Sequence, residues 1–373
     1  RLPYFTKGFK MKYFKKFVDE NSSLVNDMYN CDHGYLQYVG FGIDGDDYKH
    51  VINPYHMEGS VWTHTMMVMN EMKNHGHYSD VTEIITMLHD IGKCDVRDVK
   101  TKDDGSVRVR FFGHSGFSFY RAIDVMKDWE LAVDAQIHIL SAIALHGEFY
   151  DYFRGEEISD NMWNKLKERF KYNDHLFHTT FDQVVADCNG RHSGVIDTFV
   201  DIDEIVNNVG DCYCGDPPKY DGRPVVTMLI GPPACGKSTW VEKNTVDDII
   251  LSRDAIVMEI GGGVSYTEAF ASVDQRAVDQ DHHSSMMNMI NGGKSFIVDQ
   301  TNMSRKSRRK ILGQIGNKYW KKAVVFATGY EEIMRRCHER KDKHIPDYVM
   351  KNMIGSFMVP MYDEFDEIEW VFE

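Results

Sequence analysis

The feature that most constrains this chain is the stretch at residues 224–240, P-V-V-T-M-L-I-G-P-P-A-C-G-K-S-T-W. Its first half is a short apolar run with β-branched members, which predicts a buried strand. The second half fits G-x-x-x-x-G-K-[ST], whose glycines let backbone N–H groups turn toward phosphate oxygens. An ordinary glycine turn is the alternative, but a full-length pattern directly behind an apolar strand favours a nucleotide site.

This loop predicts which residues hold ATP or GTP. A helix beginning near Lys237 directs its positive end at the phosphates, and the lysine itself reaches the β- and γ-phosphates. The Ser238 hydroxyl is expected to hold Mg²⁺. The residues predicted to contact the nucleotide are Gly231, Pro232, Pro233, Ala234, Cys235, Gly236, Lys237, Ser238 and Thr239.

Composition narrows the class of protein. The 373 residues suffice for two or three domains, and 42% hydrophobic content is typical of a globular chain. No apolar run has the length of a membrane span, and the start lacks a signal-peptide pattern. Seven scattered cysteines suit a reducing compartment, so we expect a cytoplasmic protein without a membrane partner. The net charge of −14 argues against a broad nucleic-acid surface but permits a local basic track; the oligomeric state stays open.

The chain is expected to contain two domains, at residues 1–206 and 224–373. Between them, residues 207–223 are rich in Gly, Pro, Asn and Asp, which predicts a linker. Its single C-x-C pair, Cys212 and Cys214, is weak support for zinc. Residues 1–50 are interpreted as an N-terminal extension without assigned chemistry, and the aspartates at 44–47 as a solvated turn rather than a calcium loop.

A second set of chemically active residues lies in the first half, each beside a short apolar or glycine-marked segment. Its members are His64, the pair His89 and Asp90 within L-H-D-I-G-K, Lys93, His114, His146 and Asp187. Imidazole and carboxylate ligands together suit borderline transition metals, and helices bring such ligands together in a bundle core. The other histidines, His33 among them, are interpreted as structural or solvated, and His138 as a packing residue.

This set resembles the HD phosphohydrolase superfamily, and residues 56–65 look like the opening of HD domains in some tRNA-processing enzymes. The resemblance implies an all-helical domain with one or two divalent ions. His64, His89, Asp90 and Asp187 would bind the first ion; His114 and His146, with Asp90 bridging, would bind the second. Lys93 would lie beside the scissile phosphate and, with Arg191, neutralise its growing charge. Histidine ligands favour Mn, Co, Ni, Fe or Zn.

In the second half, polar residues follow further predicted strands. Arg253 and Asp254 follow the strand near 249–251, and Asp299 ends the strand near 296–298. Ligands of open α/β sheets bind at the carboxyl ends of the strands, so these side chains are expected to face the phosphates, with Asp299 helping to hold Mg²⁺. A further strand is predicted at 322–327, and basic residues recur at 335–343.

Residues 224–373 resemble the polynucleotide kinase branch of the P-loop kinases, through G-P-P-A-C-G-K-S-T-W, R-D, V-D-Q-T-N and R-x-x-x-R. The resemblance implies that Asp254 is the general base for a 5′-hydroxyl and that Arg336 and Arg340 form a lid. Where some relatives carry a second substrate-binding arginine, this chain has Val257. The substrate phosphate is therefore expected at Arg253 and at a basic cluster, with candidates Arg305, Arg308 and Arg309.

Together the halves resemble two-headed end-healing enzymes that join an HD phosphohydrolase to a polynucleotide kinase. The expected activities are ATP-dependent phosphorylation of 5′-hydroxyl ends and removal of a 2′,3′-cyclic or 3′-phosphate. The partners would be RNA or DNA ends, with a separate ligase acting next. Two alternatives remain: a nucleotide phosphohydrolase fused to a nucleoside kinase, and an ATP-gated binding module with a structural metal.

Overall fold

The computed structural model describes residues 11–34, 56–74, 76, 78–101, 103, 107–153, 159–192, 215–245, 248–262, 265–341 and 343–373. By their internal contacts, two compact units divide the chain: residues 1–158 with 175–208, and residues 159–174 with 209–373. The predicted N-terminal domain is therefore interrupted at 159–174. The glycine- and aspartate-rich stretch at 35–50 and the C-x-C pair lie outside the described residues, and 215–223 of the predicted linker contain neither helix nor strand.

The first unit is mainly helical, as predicted. Its helices are α1 (Lys12–Glu20), α2 (Ser22–Asn30), α3 (Val61–Asn74), α4 (Asp80–Leu88), α5 (Lys93–Val96), α6 (His114–Met126), α7 (Val133–Phe153) and, after α8 (Asp160–Arg169) of the second unit, α9 (Asp174–Asn189). A capping box of Ser79 and Thr82 begins α4, whose run of Ile84, Ile85 and Leu88 is fully buried. Burial of these apolar side chains fixes the end of α4, directly before His89 and Asp90.

The prediction that this unit is all-helical is wrong, because it contains a β-hairpin. Strands β1 (Asp98–Thr101) and β2 (Val107–Arg110) pair antiparallel, with Asp98 opposite Arg110. The side chains of that pair form an ion pair 2.8 Å long. Valines alternate with charged residues in both segments, a period-2 pattern that favours a strand over a helix.

The predicted N-terminal extension is, over residues 11–34, part of the core of the first unit. Phe17 of α1 is fully buried, and the backbone N–H of Phe14 donates to the Glu83 carboxylate at 2.7 Å. The ring of Tyr13 packs against Trp129 with centroids 5.3 Å apart. The chain then continues to His33, which is also fully buried.

The second unit is an α/β domain. Its elements are β3 (Val225–Ile230), α10 (Lys237–Asn244), β4 (Ile249–Ser252), α11 (Arg253–Ile260), α12 (Tyr266–Ser272), α13 (Gln275–Asn291), β5 (Phe296–Asp299), α14 (Arg305–Ile315), β6 (Trp320–Ala327), α15 (Tyr330–Glu339), α16 (Asp347–Gly355) and β7 (Glu367–Phe372). The strands form one sheet in the order β4-β5-β3-β6-β7, with every pair parallel. The four predicted strands are confirmed. The fifth strand, β7, was not predicted from the sequence.

The sheet places three predicted site segments at one edge. Strand β3 ends at Ile230 before the glycine loop, and α10 begins at Lys237 as predicted. Ser252, the last residue of β4, lies in register with Asp299, the last residue of β5. The segments that follow these strands therefore meet at the carboxyl edge of the sheet, where open α/β sheets bind ligands. Across the described residues, no helix combines the length and apolar composition that crossing a membrane requires.

Candidate active sites

The six predicted metal ligands of the first unit converge from five positions in the fold. They are His64 on α3, His89 and Asp90 after α4, His114 at the start of α6, His146 on α7 and Asp187 on α9. All except His114 are almost fully buried. The imidazole rings contact one another in sequence, with centroid separations of 5.6, 5.3 and 5.1 Å from His64 through His89 and His146 to His114.

A shared local geometry orients three of these histidines. In each, Nδ1 lies within hydrogen-bond distance of the carbonyl oxygen three residues earlier, which leaves Nε2 to face the centre of the cluster. The pairs are His89 with Thr86 at 2.7 Å, His114 with Phe111 at 2.9 Å and His146 with Ile143 at 2.6 Å. Such bonds hold both the tautomer and the ring direction that a metal ligand requires.

The ligand atoms form two groups, and the carboxylate of Asp90, a member of the second group, also faces the first. His64, His89 and Asp187 offer atoms that all lie within 4.8 Å of one another, and so do Asp90, His114 and His146. Asp90 Oδ2 lies 3.4 Å from His64 Nε2 and 3.3 Å from His89 Nε2, whereas Oδ1 lies 3.4 Å from His114 Nε2. The two oxygens of Asp90 therefore face different groups, which is the arrangement of a bridging ligand.

This donor set fits divalent transition ions. Within the described residues, the buried atoms His89 Nε2 and Asp90 Oδ1 have no hydrogen-bond partner, a costly state that a metal ion would relieve. Nε2 of His114 lies 3.1 Å from Nε2 of His146. Two nitrogens bound to one ion at about 2.0–2.1 Å are roughly 3 Å apart when they subtend about 90°. Four imidazoles with two carboxylates favour borderline metals over Mg²⁺.

The charges around the cluster also suit this chemistry. Burial lowers the pKa of His114 to about 3, so its imidazole is neutral at physiological pH. Burial opposes ionisation of Asp90, but the Lys93 ammonium and His89 hold the pKa of this carboxyl well below its ordinary value. Nζ of Lys93 lies 2.6 Å from Asp90 Oδ2. The predicted phosphate-contacting lysine is thus beside the carboxylate that joins the two groups.

Asp187 and Arg191 lie around Tyr150, a residue that the sequence reading did not single out. The Tyr150 hydroxyl donates a short hydrogen bond to Asp187 Oδ2. Burial and then the Asp187 charge raise the pKa of Tyr150 well above its ordinary value, and Arg191 acts in the opposite direction. Asp187 is therefore held by a neutral donor at one oxygen while its other oxygen lies 2.8 Å from His64 Nε2.

Three further residues adjoin the cluster: His33, His56 and Glu58. His33 is fully buried and hydrogen-bonded, as its interpretation as a structural histidine allows. His33 stacks on His56 with centroids 4.5 Å apart, and its Nε2 lies 3.3 Å from Lys93 Nζ. Glu58 lies between His56 and His64. Nothing local in the sequence pointed to Glu58, because its contact with His64 depends on how α3 turns that ring.

In the second unit, the glycine loop has the geometry of a phosphate cradle. Gly236 has φ 94°, a left-handed conformation that favours glycine, and directly precedes α10. The Lys237 ammonium donates to the carbonyls of Gly231 and Pro232 at 2.8 and 2.7 Å, so it curls over the loop. Ser238 and Thr239 are exposed on the first turn of α10. The predicted phosphate-contacting residues therefore surround one concave backbone segment.

Asp254, the predicted general base, lies in the first turn of α11 between two residues that the sequence reading did not assign to it. The Tyr266 hydroxyl donates to Oδ1 at 2.7 Å, and the Lys343 ammonium lies 2.5 Å from Oδ2. That ammonium also lies 3.9 Å from the centre of the Tyr266 ring. Burial raises the pKa of Asp254, but Lys343 and Tyr266 outweigh it, and the pKa is lowered overall. The carboxylate is therefore ionised at neutral pH.

Asp299 has the opposite electrostatic environment. Burial raises its pKa, the Lys237 charge opposes this, and the Asp254 charge adds to it. The two carboxylates and Lys237 therefore act on one another at the carboxyl edge of the sheet. An Mg²⁺ ion with phosphate oxygens fits here, because oxygen ligands with two negative groups nearby are what this ion prefers.

The predicted lid arginines differ in their surroundings. Arg336 lies beside the loop, with Nη1 3.4 Å from the Ala234 carbonyl oxygen and 2.5 Å from Glu373 Oε2. Its Nε donates to Glu332 at 2.6 Å. Arg340 directly follows α15 and is exposed. Arg336 is thus already near the phosphate cradle, and the lid role of Arg340 stays a prediction.

The basic cluster near residue 305 is largely structural. Arg308, one of the candidates for holding the substrate phosphate, is fully buried and donates to both oxygens of Glu364, so that interpretation is wrong. Arg305 forms an ion pair with Asp363, and this pair would have to open before Arg305 contacted a phosphate. Arg253 contacts Asp279 and Gln275 of α13 and, like Arg305, stays a predicted substrate residue.

A family model and several solved structures match parts of this chain. Residues 226–360 match the family model AAA_33, described as an AAA domain. A chain in the structure of the Pnkp1/Rnl/Hen1 RNA repair complex is 20% identical over 37% of this chain and 45% of that one, with a TM-score of 0.31. A second structure of the Pnkp1/Rnl/Hen1 complex gives 21% identity over 35% and 45%, with a TM-score of 0.26.

A structure from Chloroflexus aurantiacus, described as a "putative kinase", is 15% identical over 40% of this chain and 85% of that one, with a TM-score of 0.32. The present chain spans less than half the length of the chains that it matches in the RNA repair complexes. The family match, the parallel sheet and the loop geometry together show a P-loop kinase-like α/β domain at the second unit. Such a domain implies ATP and Mg²⁺.

Proposed function

We propose that this chain heals nucleic-acid ends by two reactions: ATP-dependent phosphorylation of a 5′-hydroxyl and metal-dependent removal of a 2′,3′-cyclic or 3′-phosphate. The observation that carries the proposal is that one chain contains both a carboxylate at a phosphate cradle and an inward-facing cluster of four imidazoles and two carboxylates. The first arrangement suits the transfer of a phosphoryl group to a hydroxyl, and the second suits hydrolysis of a phosphate ester.

In the kinase reaction, Asp254 accepts the proton of the attacking 5′-hydroxyl, for which its ionised carboxylate is suited. Lys237 and Arg336 neutralise charge on the transferred phosphoryl group. Both Asp254 oxygens are engaged by Tyr266 and Lys343, so the substrate hydroxyl replaces one of these contacts on binding. A dedicated base of this kind argues against an ATP-gated switch, which has no proton to remove.

In the phosphatase reaction, the two ligand groups of the first unit would hold the divalent ions, and the Asp90 carboxylate faces both groups. When bound, such ions lower the pKa of water and so supply a nucleophile at neutral pH. Lys93, buried beside Asp90, and Arg191 contact the phosphate and offset its charge as it develops.

A nucleoside or nucleotide substrate is the second candidate. Arg308 forms an ion pair with Glu364, and Arg335 forms ion pairs with Glu332 and Glu339 of its own helix. These pairs reduce the positive charge of the surface. A polynucleotide substrate would need that charge to bind, whereas a nucleoside would not. The test therefore compares oligonucleotides with a free nucleoside as substrates.

The test uses the purified chain with labelled ATP and, in parallel, a 5′-hydroxyl RNA, a 5′-hydroxyl DNA and a free nucleoside. The same preparation, with a transition metal, receives oligonucleotides that end in a 2′,3′-cyclic phosphate or a 3′-phosphate. We expect label on the oligonucleotide 5′ ends and release of phosphate from the 3′ ends. Labelling of the nucleoside alone would establish the second candidate, and labelling of neither would contradict both.

A further inference from the structure

Glu58 lies directly behind His64, on the side of the ring away from the other ligands. Its Oε1 lies 2.9 Å from Nδ1 of His64 and 2.8 Å from Nδ1 of His56. Its Oε2 accepts a hydrogen bond from the backbone N–H of His192 at 3.0 Å. The Glu58 side chain is only 1% exposed, so this carboxylate is held at both oxygens inside the protein.

His64 differs in this respect from the other three histidines of the cluster. His89, His114 and His146 each use a neutral backbone carbonyl to hold Nδ1. At His64 the carboxylate of Glu58 lies beside Nδ1 as an ion-pair contact instead, while Nε2 faces Asp187 Oδ1 at 2.8 Å and Asp90 Oδ2 at 3.4 Å. A carboxylate behind a ligating imidazole fixes the ring direction and raises the basicity of the ligating nitrogen.

We propose that Glu58 is a positioning residue that aims Nε2 of His64 at the metal centre and strengthens it as a ligand. The inference rests on the proposed metal site, since it assigns a role toward an ion held by His64, His89 and Asp187. Glu58 itself contacts neither the ion nor the substrate. It also holds His56, whose ring contacts His64 edge-on at 5.0 Å, so a single carboxylate fixes two neighbouring imidazoles.

A separate metal site at His33, His56 and Glu58 is the competing interpretation, because these residues also offer atoms within 4.8 Å of one another. Two contacts argue against it. Nε2 of His33 lies 3.3 Å from the Lys93 ammonium, which would repel a further cation, and Nδ1 of His33 lies 3.1 Å from the Gly59 carbonyl oxygen. Both ring nitrogens of His33 therefore already have a partner, and the Glu58 carboxylate contacts the imidazoles of His56 and His64.

The test measures Co²⁺ binding to the metal-stripped full chain by calorimetry and by the absorption spectrum of the bound ion. Glu58→Gln keeps the shape and one acceptor oxygen but removes the charge. Glu83→Gln is the matched control, because Glu83 is also a buried glutamate of the first unit, but it contacts Phe14 and Tyr78 instead of the cluster. Thermal unfolding of each stripped protein shows whether it is folded. Glu58→Asp replaces Glu58→Gln if the latter does not fold.

We expect Glu58→Gln to bind one Co²⁺ about 10–100-fold more weakly than the parent, with unchanged stoichiometry, and Glu83→Gln to match the parent. Equal Co²⁺ affinity in the parent and in a folded Glu58 variant would overturn the positioning role. Loss of one full equivalent from a parent that binds three would establish the separate site instead. If the parent itself binds no Co²⁺, the proposed metal site fails, a result distinct from failure of the inference about Glu58.

Discussion

The two candidate sites are built in opposite ways. The candidate metal ligands come from five positions far apart in sequence, all except His114 are almost fully buried, and backbone carbonyl oxygens hold Nδ1 of three of the histidines. The phosphate cradle is one contiguous loop at the edge of a sheet, and the Asp254 side chain beside it is 55% exposed. Removing one member of a buried polar cluster leaves its partners without a contact in a medium of low dielectric constant, which is costly. At an exposed edge, water replaces the lost contact. Substitutions should therefore affect both stability and activity at the first site, but activity alone at the second.

The largest effect is expected for Asp90→Ala. It removes the carboxylate shared by both ligand groups and leaves the Lys93 ammonium buried without it, so phosphate release from 3′ ends should fall to background. Breaking a buried pair by removing one partner costs about 3–5 kcal/mol in the free energy of unfolding. Denaturant unfolding of the stripped protein measures this loss, and Asp90→Asn serves if the alanine variant does not fold. The kinase should keep its parental rate; loss of both activities in a folded variant would indicate coupled sites.

Asp254→Ala should give the reverse pattern. Without the general base, 5′-phosphorylation is expected to fall by about 10²–10⁴-fold, whereas ATP binding and the phosphatase reaction persist. Because Asp254 is half-exposed, the free energy of unfolding should change by less than about 1 kcal/mol. Asp281→Ala removes an exposed carboxylate of α13 and is the matched control. A parental rate of 5′-labelling in Asp254→Ala would show that another group takes the proton.

Lys343→Met should produce the smallest change, a shift in the pH profile of the kinase. The ammonium holds the pKa of Asp254 down, so its removal raises that pKa, and the ionised base is lost at a higher pH. The acid limb of the rate profile should move upward by less than about one pH unit, since an exposed ion pair is worth about 0–1 kcal/mol. Lys341→Met, at an exposed neighbouring lysine, should leave the limb in place. An unmoved or lowered limb in Lys343→Met would refute this role.

The sequence predicted the parts of each site that are local. The loop, the start of α10 and the ends of β4 and β5 follow from motifs and apolar runs within a few residues. Lys343 was not linked to Asp254 because 89 residues separate them, and no periodicity connects a coil residue to the first turn of α11. Glu58 was missed for a different reason, since its role depends on how α3 turns His64 toward the other helices.

Arg308 shows that an available signal was not used. It precedes the buried residues Ile311, Leu312 and Ile315 of α14 at three, four and seven positions, which places it on the apolar face of the helix. A periodicity argument thus predicts a buried arginine with an acidic partner. The same residues also form a basic run, which predicts an exposed helix face and not the ion pair of Arg308 with Glu364.

A metal titration of both reactions on one stripped preparation tests the central claim, that the chain has two sites of different chemistry. The oxygen-rich edge of the sheet suits Mg²⁺, and the four imidazoles of the buried cluster suit Mn²⁺, Co²⁺, Ni²⁺, Fe²⁺ or Zn²⁺. We expect the kinase to reach full rate on Mg²⁺ alone, and the phosphatase to stay weak in Mg²⁺ and rise with a transition metal. Identical metal profiles, with full phosphatase activity in Mg²⁺ alone, would contradict the assignment of His64, His89, His114 and His146 as ligands.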